Sequence, residues 1–375
     1  VLGGTENYYF GTDASLKNPT RATGILESFY ATNPSHPGVM HYLIHGYDYP
    51  PVAARGLEAA QAYAAVAPWV PHVLHMPSHI FTRLGMWNDV IASNLASAEA
   101  ARQYAARHHP QATSFEELHA LDYLVYGYLQ RGDDRRASEV LAVTQAVRAT
   151  HPAADFAAAY AIGAVPARYA LERRQWAEAA ALVEPRSLSL ETFTFGSAHL
   201  AFARALGAAR AGRAPQARQA MARLEELAKG MTDPRQQYFA RQAGLQLEAV
   251  RGWVAFAEGR PDEAERLLRA AADADDALGK HPVSPGSLLP AREMLADLLR
   301  QEGVTSTEAM GWGEFLASTH RAMVSIAPLD QGLLLRNAAI AIVTERELYG
   351  ERPRGRRRQR RVRDPEQILS DLTDL

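Results

Sequence analysis

The sequence predicts an all-α chain of antiparallel helix pairs stacked one after another, and three observations predict it. From Arg21 onward, apolar residues recur at i, i+3, i+4 and i+7 in alanine-rich runs, the one-sided stripe of an amphipathic helix. No stretch alternates apolar and polar residues as a half-buried strand does. One turn grammar keeps returning: Leu84-Gly-Met-Trp, Gln130-Arg-Gly-Asp-Asp, Glu172-Arg-Arg-Gln-Trp, Ala211-Gly-Arg-Ala-Pro and Ala257-Glu-Gly-Arg-Pro each end one helix and start another. Gly85, Gly132, Gly212 and Gly259, with the Glu172 turn midway in the long interval, set a period of about 40 residues, the length of a helical hairpin repeat.

In chain order, residues 1–20 are rich in Gly, Asn and Thr without a period, which predicts an irregular start. The repeats run over 21–303. Residues 304–350 hold two helical patterns without the turn signature, and 351–375 form an arginine-rich, disordered tail. Within the repeats, Asn33-Pro-Ser-His-Pro37 starts a helix, with Ser35 or His36 as cap and Pro37 in the first turn. Pro71 starts another. Pro77 then falls inside that helix, so the chain either kinks there or breaks at Met76 and restarts at Pro77. Glu117 to Tyr123 lies in the next such helix. Lys280-His-Pro-Val-Ser-Pro-Gly286 is a Pro-rich connector between repeats, and a superhelix can bring such a loop over its groove.

At 375 residues the chain is long for one compact core, which fits an elongated array or two domains. Its 47% hydrophobic and 22% charged residues are those of a folded, soluble protein. The absence of cysteine excludes disulfides, thiolate metal sites and a cysteine nucleophile, so any metal must be held by nitrogen and oxygen. No apolar run of about 18 residues is present, so no membrane span is expected. The chain opens Val-Leu-Gly-Gly without a leader pattern, as a processed product or a fragment does. A cytoplasmic protein, and a periplasmic or secreted one whose leader has been removed, both stay open. The net charge of −2 hides eight arginines between Arg352 and Arg363 on an otherwise acidic chain. That run lacks interleaved aromatics, which argues against a nucleic-acid partner. Nucleotide-loop, nucleophile-elbow, dinucleotide and His-Glu-x-x-His motifs are absent.

The phrase Gly259-Arg-Pro-Asp-Glu-Ala-Glu-Arg-Leu-Leu268 resembles the turn and second helix of a tetratricopeptide repeat, and the resemblance covers residues 55–300. It implies a tetratricopeptide-repeat-like right-handed superhelix of antiparallel helix pairs, whose concave groove takes a small-molecule or peptide ligand. The repeats are longer and less regular than the common unit of about 34 residues. HPGVMHYLIHGYDYP (36–50), PHVLHMPSHIFTRLGMW (71–87), ELHALDYLVYGYLQRGD (117–133) and KHPVSPGSLLPARE (280–293) together are similar to a family of bacterial tetratricopeptide-like proteins. Members of that family are longer, with an additional helical region at the start, often behind a secretion signal. The resemblance implies a fold and a place for the site, not a reaction. It ends near Arg300, where either a divergent cap or a shifted reading frame follows.

The chemistry is concentrated between His36 and His79, which hold six of the 13 histidines. His41/His45 and His75/His79 are i,i+4 pairs, so each pair presents both imidazoles on one helix face. Asp48 extends the first stripe. The pairs lie about 34 residues apart, near one repeat, so stacked helices should bring them face to face. His119 and Asp122, at i,i+3 on the following helix, extend the set. His41, His45, His75, His79 and His119 are the candidate ligands of a transition metal, zinc, copper or iron. Asp48 and Asp122 are the candidate catalytic carboxylates, and His36, His72, Arg83, Tyr126 and His281 are candidates for orienting ligands or touching substrate. Two function classes follow: a metal-dependent hydrolase or oxidase, and a scaffold that binds a peptide without catalysis. Metal-free polar core histidines remain the plain alternative.

Overall fold

The structure is a computed structural model and describes residues 16–185 and 188–301. The expectations for residues 1–15 and for everything after 301, the arginine run included, lie outside the described residues. The chain divides into two compact units, Val1–Leu295 and Ala296–Leu375, and the account below concerns the first.

The described residues of that unit are mostly helical. Its helices are α1 (Lys17–Tyr30), α2 (Pro37–Tyr47), α3 (Leu57–Tyr63), α4 (Pro71–His75), α5 (Pro77–Arg83), α6 (Trp87–His108), α7 (Phe115–Gln130), α8 (Asp134–Ala146), α9 (Phe156–Glu172), α10 (Trp176–Ala180), α11 (Phe195–Arg210), α12 (Ala214–Gly230), α13 (Gln237–Ala257) and α14 (Pro261–Leu278). A further helix, α15 (Ala291–Gln301), begins at its end. Among the described residues the only strands are Thr113–Ser114 and Thr150–His151, which pair in parallel.

The turn grammar is visible in the backbone. Gly85, Gly132, Gly212 and Gly259 all take left-handed φ values between 63° and 76°. A Cβ is disfavoured in that region, which is why the sequence repeats glycine there. At the one predicted turn without glycine, Arg174 takes the position with φ 56°. Two residues after each of these five the next helix begins. Side-chain caps reinforce several starts: Ser114 accepts from the Glu116 N–H, Asp133 from Arg136 and Asp155 from Ala158. Successive helices pack on one another (α6 on α7, α11 on α12, α13 on α14), and α7, α9, α11 and α13 form a continuous run of neighbours. Between α9 and α11 the approach is so close that a Cβ on Gly163 would meet the Gly196 carbonyl oxygen.

Three features position the site. Helix α2 buries Met40, Leu43, Ile44 and Tyr47 against Met76, Ile80, Phe81 and Tyr123, which turns the His41/His45 stripe away from that core. Between α4 and α5 the chain breaks at Met76 and restarts at Pro77, with Met76 still in helical conformation; a proline at a first helical position gives up no bonded N–H. The loop after α14 returns across distant helices. Lys280 bonds Asp48, the Tyr123 hydroxyl donates to the Ser284 carbonyl, Tyr160 bonds the Ser284 hydroxyl, and Arg168 donates to the carbonyls of Gly286 and Ser287. This segment is therefore a strap tied to α7 and α9 and to the end of α2, rather than only a connector.

Candidate metal centre

Helices α4, α5 and α7 bring His75, His79 and His119 together, with one ring nitrogen from each within 4.8 Å of the other two. His75 and His79 are buried, and the His119 Nδ1 is shielded without a hydrogen-bond partner. The Tyr123 ring lies against all three, 4.7 Å from His75, 5.5 Å from His79 and 5.4 Å from His119 between centroids.

The hydrogen bonds behind the rings fix their protons. The Asn94 side-chain amide donates to the Val90 carbonyl at 2.8 Å, which turns its Oδ1 toward His75 Nδ1 at 2.7 Å. Only a proton on that Nδ1 makes this contact favourable, so His75 donates from Nδ1 and its Nε2 is bare. His79 Nδ1 lies 3.0 Å from Asp48 Oδ2. An ionised carboxylate only accepts, so His79 also carries its proton on Nδ1. The two bare Nε2 atoms then face each other at 3.2 Å. Neutral rings with these tautomers cannot hydrogen-bond there, and their lone pairs repel until a cation stands between or beside them. A proton is a poor candidate, because burial holds His75 well below the usual imidazole range and lowers His79 even against the pull of Asp48. A tetrahedral metal about 2.0–2.1 Å from each nitrogen would space its ligands about 3.3–3.4 Å apart.

Asp48 sits at the C-terminal end of α2, 7% exposed. Its Oδ1 accepts from Arg83 Nε at 2.7 Å, and its Oδ2 accepts from Lys280 Nζ at 2.8 Å as well as from His79. Arg83 also donates to the Asp48 backbone carbonyl. Burial alone would raise this carboxyl, but Lys280 and Arg83 hold it well below the usual carboxylate range. Lys280 is pushed down to about 8, burial outweighing its partner.

His41 and His45 stand beside the trio rather than in it. Their centroids are 4.7 Å apart, His45 lies 5.6 Å from His79, and His41 lies 5.2 Å from His72. The two i,i+4 pairs thus meet through His45 and His79. Burial lowers His41 to about 4 and His45 well below its usual range. His72 is exposed at the edge, and the Tyr63 hydroxyl approaches His41 at 3.5 Å. His36 is the N-cap of α2, its Nδ1 accepting from the Val39 N–H.

The remaining candidates lie elsewhere. Asp122 is fully buried 3.6 Å from the equally buried Arg168, too far for a hydrogen bond, and neither of its oxygens has a hydrogen-bond partner. Burial raises Asp122 to about 6 although Arg168 opposes it. Tyr126 lies under the Arg168 guanidinium, 4.9 Å from its ring centroid. His281 turns into a cluster of Phe156, Tyr238 and Phe239, its Nδ1 accepting from Val283 N–H. Its neighbour Lys280 is the residue that reaches Asp48, the partner of His79.

Two residues escaped the sequence reading. Asn94 is one of two polar members, with Ser97, of the buried α6 stripe Val90, Asn94, Ser97, Ala101, and a polar side chain in such a stripe was the available signal. Lys280 carried none, because its partner is 232 residues away.

A family model described as the MFD D3 domain matches residues 290–348. Only its first residues, up to 301, are among those described, and none belongs to the centre. No curated protein matches the chain.

Proposed function

We propose that this chain is a metal-binding protein on a tetratricopeptide-like helical scaffold, in which His75, His79 and His119 hold one transition metal ion. The observation that carries the reading is the pair of bare Nε2 atoms at 3.2 Å, each aimed by a hydrogen bond on the far side of its ring. Such partners are what metal-bound histidines use to set tautomer and direction. An all-nitrogen donor set without thiolate fits zinc, copper or iron. Three protein ligands leave a coordination position for water or substrate, as in metal-dependent hydrolases, and with copper or iron the same position serves an oxidation. Asp48 orients His79, while His41, His45 and His72 line the approach.

The test is the metal content of protein purified without an affinity tag, beside the His75→Ala/His119→Ala variant. We expect close to one ion per chain, lost in the variant while its helical circular dichroism is retained. Metal-free wild-type protein that also fails to take up zinc, copper or iron when supplied would overturn the reading.

A further inference from the structure

We propose that the ligand completing this centre is a small oxyanion, of the carboxylate or phosphate type, held between the metal and the Lys280 ammonium. The proposal rests on the metal-site reading above and adds the charge of the ligand to it.

The first observation is a charge imbalance. Asp48 is in contact with two cations, Arg83 at 2.7 Å and Lys280 at 2.8 Å. The Lys280 and Asp48 side chains are each 6% exposed, and Arg83 is 15% exposed. One carboxylate therefore faces two positive charges with little solvent to spread the surplus. The next buried pair, Asp122 with Arg168, cancels itself. The three imidazoles are neutral donors and bring no negative charge, so a divalent ion enlarges the surplus. An uncompensated charge in so dry a place is unfavourable, and an anion removes it.

The second observation is the geometry of Lys280. Its ammonium has three N–H donors, and one goes to Asp48 Oδ2. That same oxygen accepts the His79 Nδ1 proton, so the ammonium stands beside the ring of a ligand. Its other two donors have no partner among the described residues and can meet an oxygen ligand of the metal. A compact point charge suits a single anionic oxygen better than an extended planar group. The strap that carries Lys280 is anchored beside the same rings: Tyr123, which packs on all three histidines, is also tied to the Ser284 carbonyl.

The experiment titrates acetate and inorganic phosphate by calorimetry, at constant ionic strength, into zinc-loaded and metal-free protein. Wild type, Lys280→Met and Lys280→Arg are compared after zinc content and circular dichroism are measured for each. We expect one anion per chain in the zinc-loaded wild type. Lys280→Met should bind it roughly tenfold more weakly or worse, with zinc content unchanged. Lys280→Arg should keep binding and shift its preference toward phosphate, which a forked guanidinium grips with two bonds. Equal affinity in wild type and Lys280→Met, or no anion bound by the zinc-loaded wild type, would overturn the proposal. If Lys280→Met does not fold, an unaltered acetate and phosphate profile in Lys280→Arg overturns it instead. If no zinc binds at all, the metal reading falls separately. The Lys280 and Arg83 surplus exists without an ion, so weak Lys280-dependent binding to metal-free protein is still expected, and its absence ends this proposal too.

Discussion

Two buried polar clusters lie within one chain, and they are put together in opposite ways. Around His75 and His79 the supporting groups are partnered: Asn94 is held by its own helix, and Asp48 by Arg83, Lys280 and His79, while the His119 Nδ1 has no hydrogen-bond partner. What is left over is a set of aimed lone pairs. Around Asp122 and Arg168 the charges cancel within the pair, and the leftover atoms point at no common ion: both Asp122 oxygens, Arg168 Nε and both ring nitrogens of His199 lack hydrogen-bond partners. A site prepared for an ion satisfies its outer shell and leaves the inner one open. A structural ion pair balances its charge and leaves ordered water to satisfy the remainder.

Acid should separate the clusters most strongly. His41 titrates near 4, His45, His75 and His119 are held well below their usual 6.5, and His199 is lowered to about 3, all chiefly by burial. Between 6.5 and 4 the unfolded chain therefore binds more protons than the folded one, and stability falls as pH falls through that window. Bound metal competes with protons only at the first cluster. Denaturant midpoints should lie higher in metal-loaded than in metal-free protein at pH 7 and drop more steeply toward pH 4, because metal-bound histidines take up no protons in the folded state, and His199→Phe should remove an equal part of the drop from both. Identical curves with and without metal would erase the distinction.

Breaking the second cluster comes next. Arg168→Met leaves Asp122 buried and unpaired, a cost of about 3–5 kcal/mol in unfolding free energy, while metal content stays at the wild-type level. Loss of metal in a folded Arg168→Met protein would join the two clusters into one.

A smaller effect is expected at the outer shell of the first. Asp48→Asn keeps the size of the side chain and removes the charge that orients His79, which should weaken metal affinity about 10–100-fold in competition with a chromophoric chelator. Unchanged affinity would make Asp48 a partner of Lys280 and Arg83 alone.

The smallest prediction concerns the scaffold. Arg174 adopts a left-handed conformation where the four equivalent turns have glycine. Arg174→Gly should stabilise the chain by about 0.5–1 kcal/mol, read from the chemical denaturation midpoint. No gain would place the strain relief elsewhere in that turn.

That turn also marks what the sequence made legible. Glycines at Gly85, Gly132, Gly212 and Gly259 announce themselves because left-handed backbone needs them, and the Glu172 turn could still be placed by its spacing. The histidine pairs were legible for a similar reason, since i,i+4 spacing and repeat length are both local quantities. Pro77 was ambiguous because a kink and a restart share one sequence signature. The Lys280–Asp48 contact and the burial of Asp122 against Arg168 were not legible, because they depend on how a loop folds back over helices far away in the chain. His281 shows the limit well: the loop that reaches Asp48 was singled out, but spacing cannot say which of two adjacent side chains makes the contact.

The central claim is that imidazole nitrogens of His75, His79 and His119 hold one ion. X-ray absorption at the metal edge of the untagged protein tests it most directly. The account predicts a first shell dominated by nitrogen at about 2.0–2.1 Å for zinc, with imidazole outer-shell scattering corresponding to three rings. A first shell of oxygen without imidazole scattering, or a spectrum unaltered in the His75→Ala/His119→Ala variant, would contradict it.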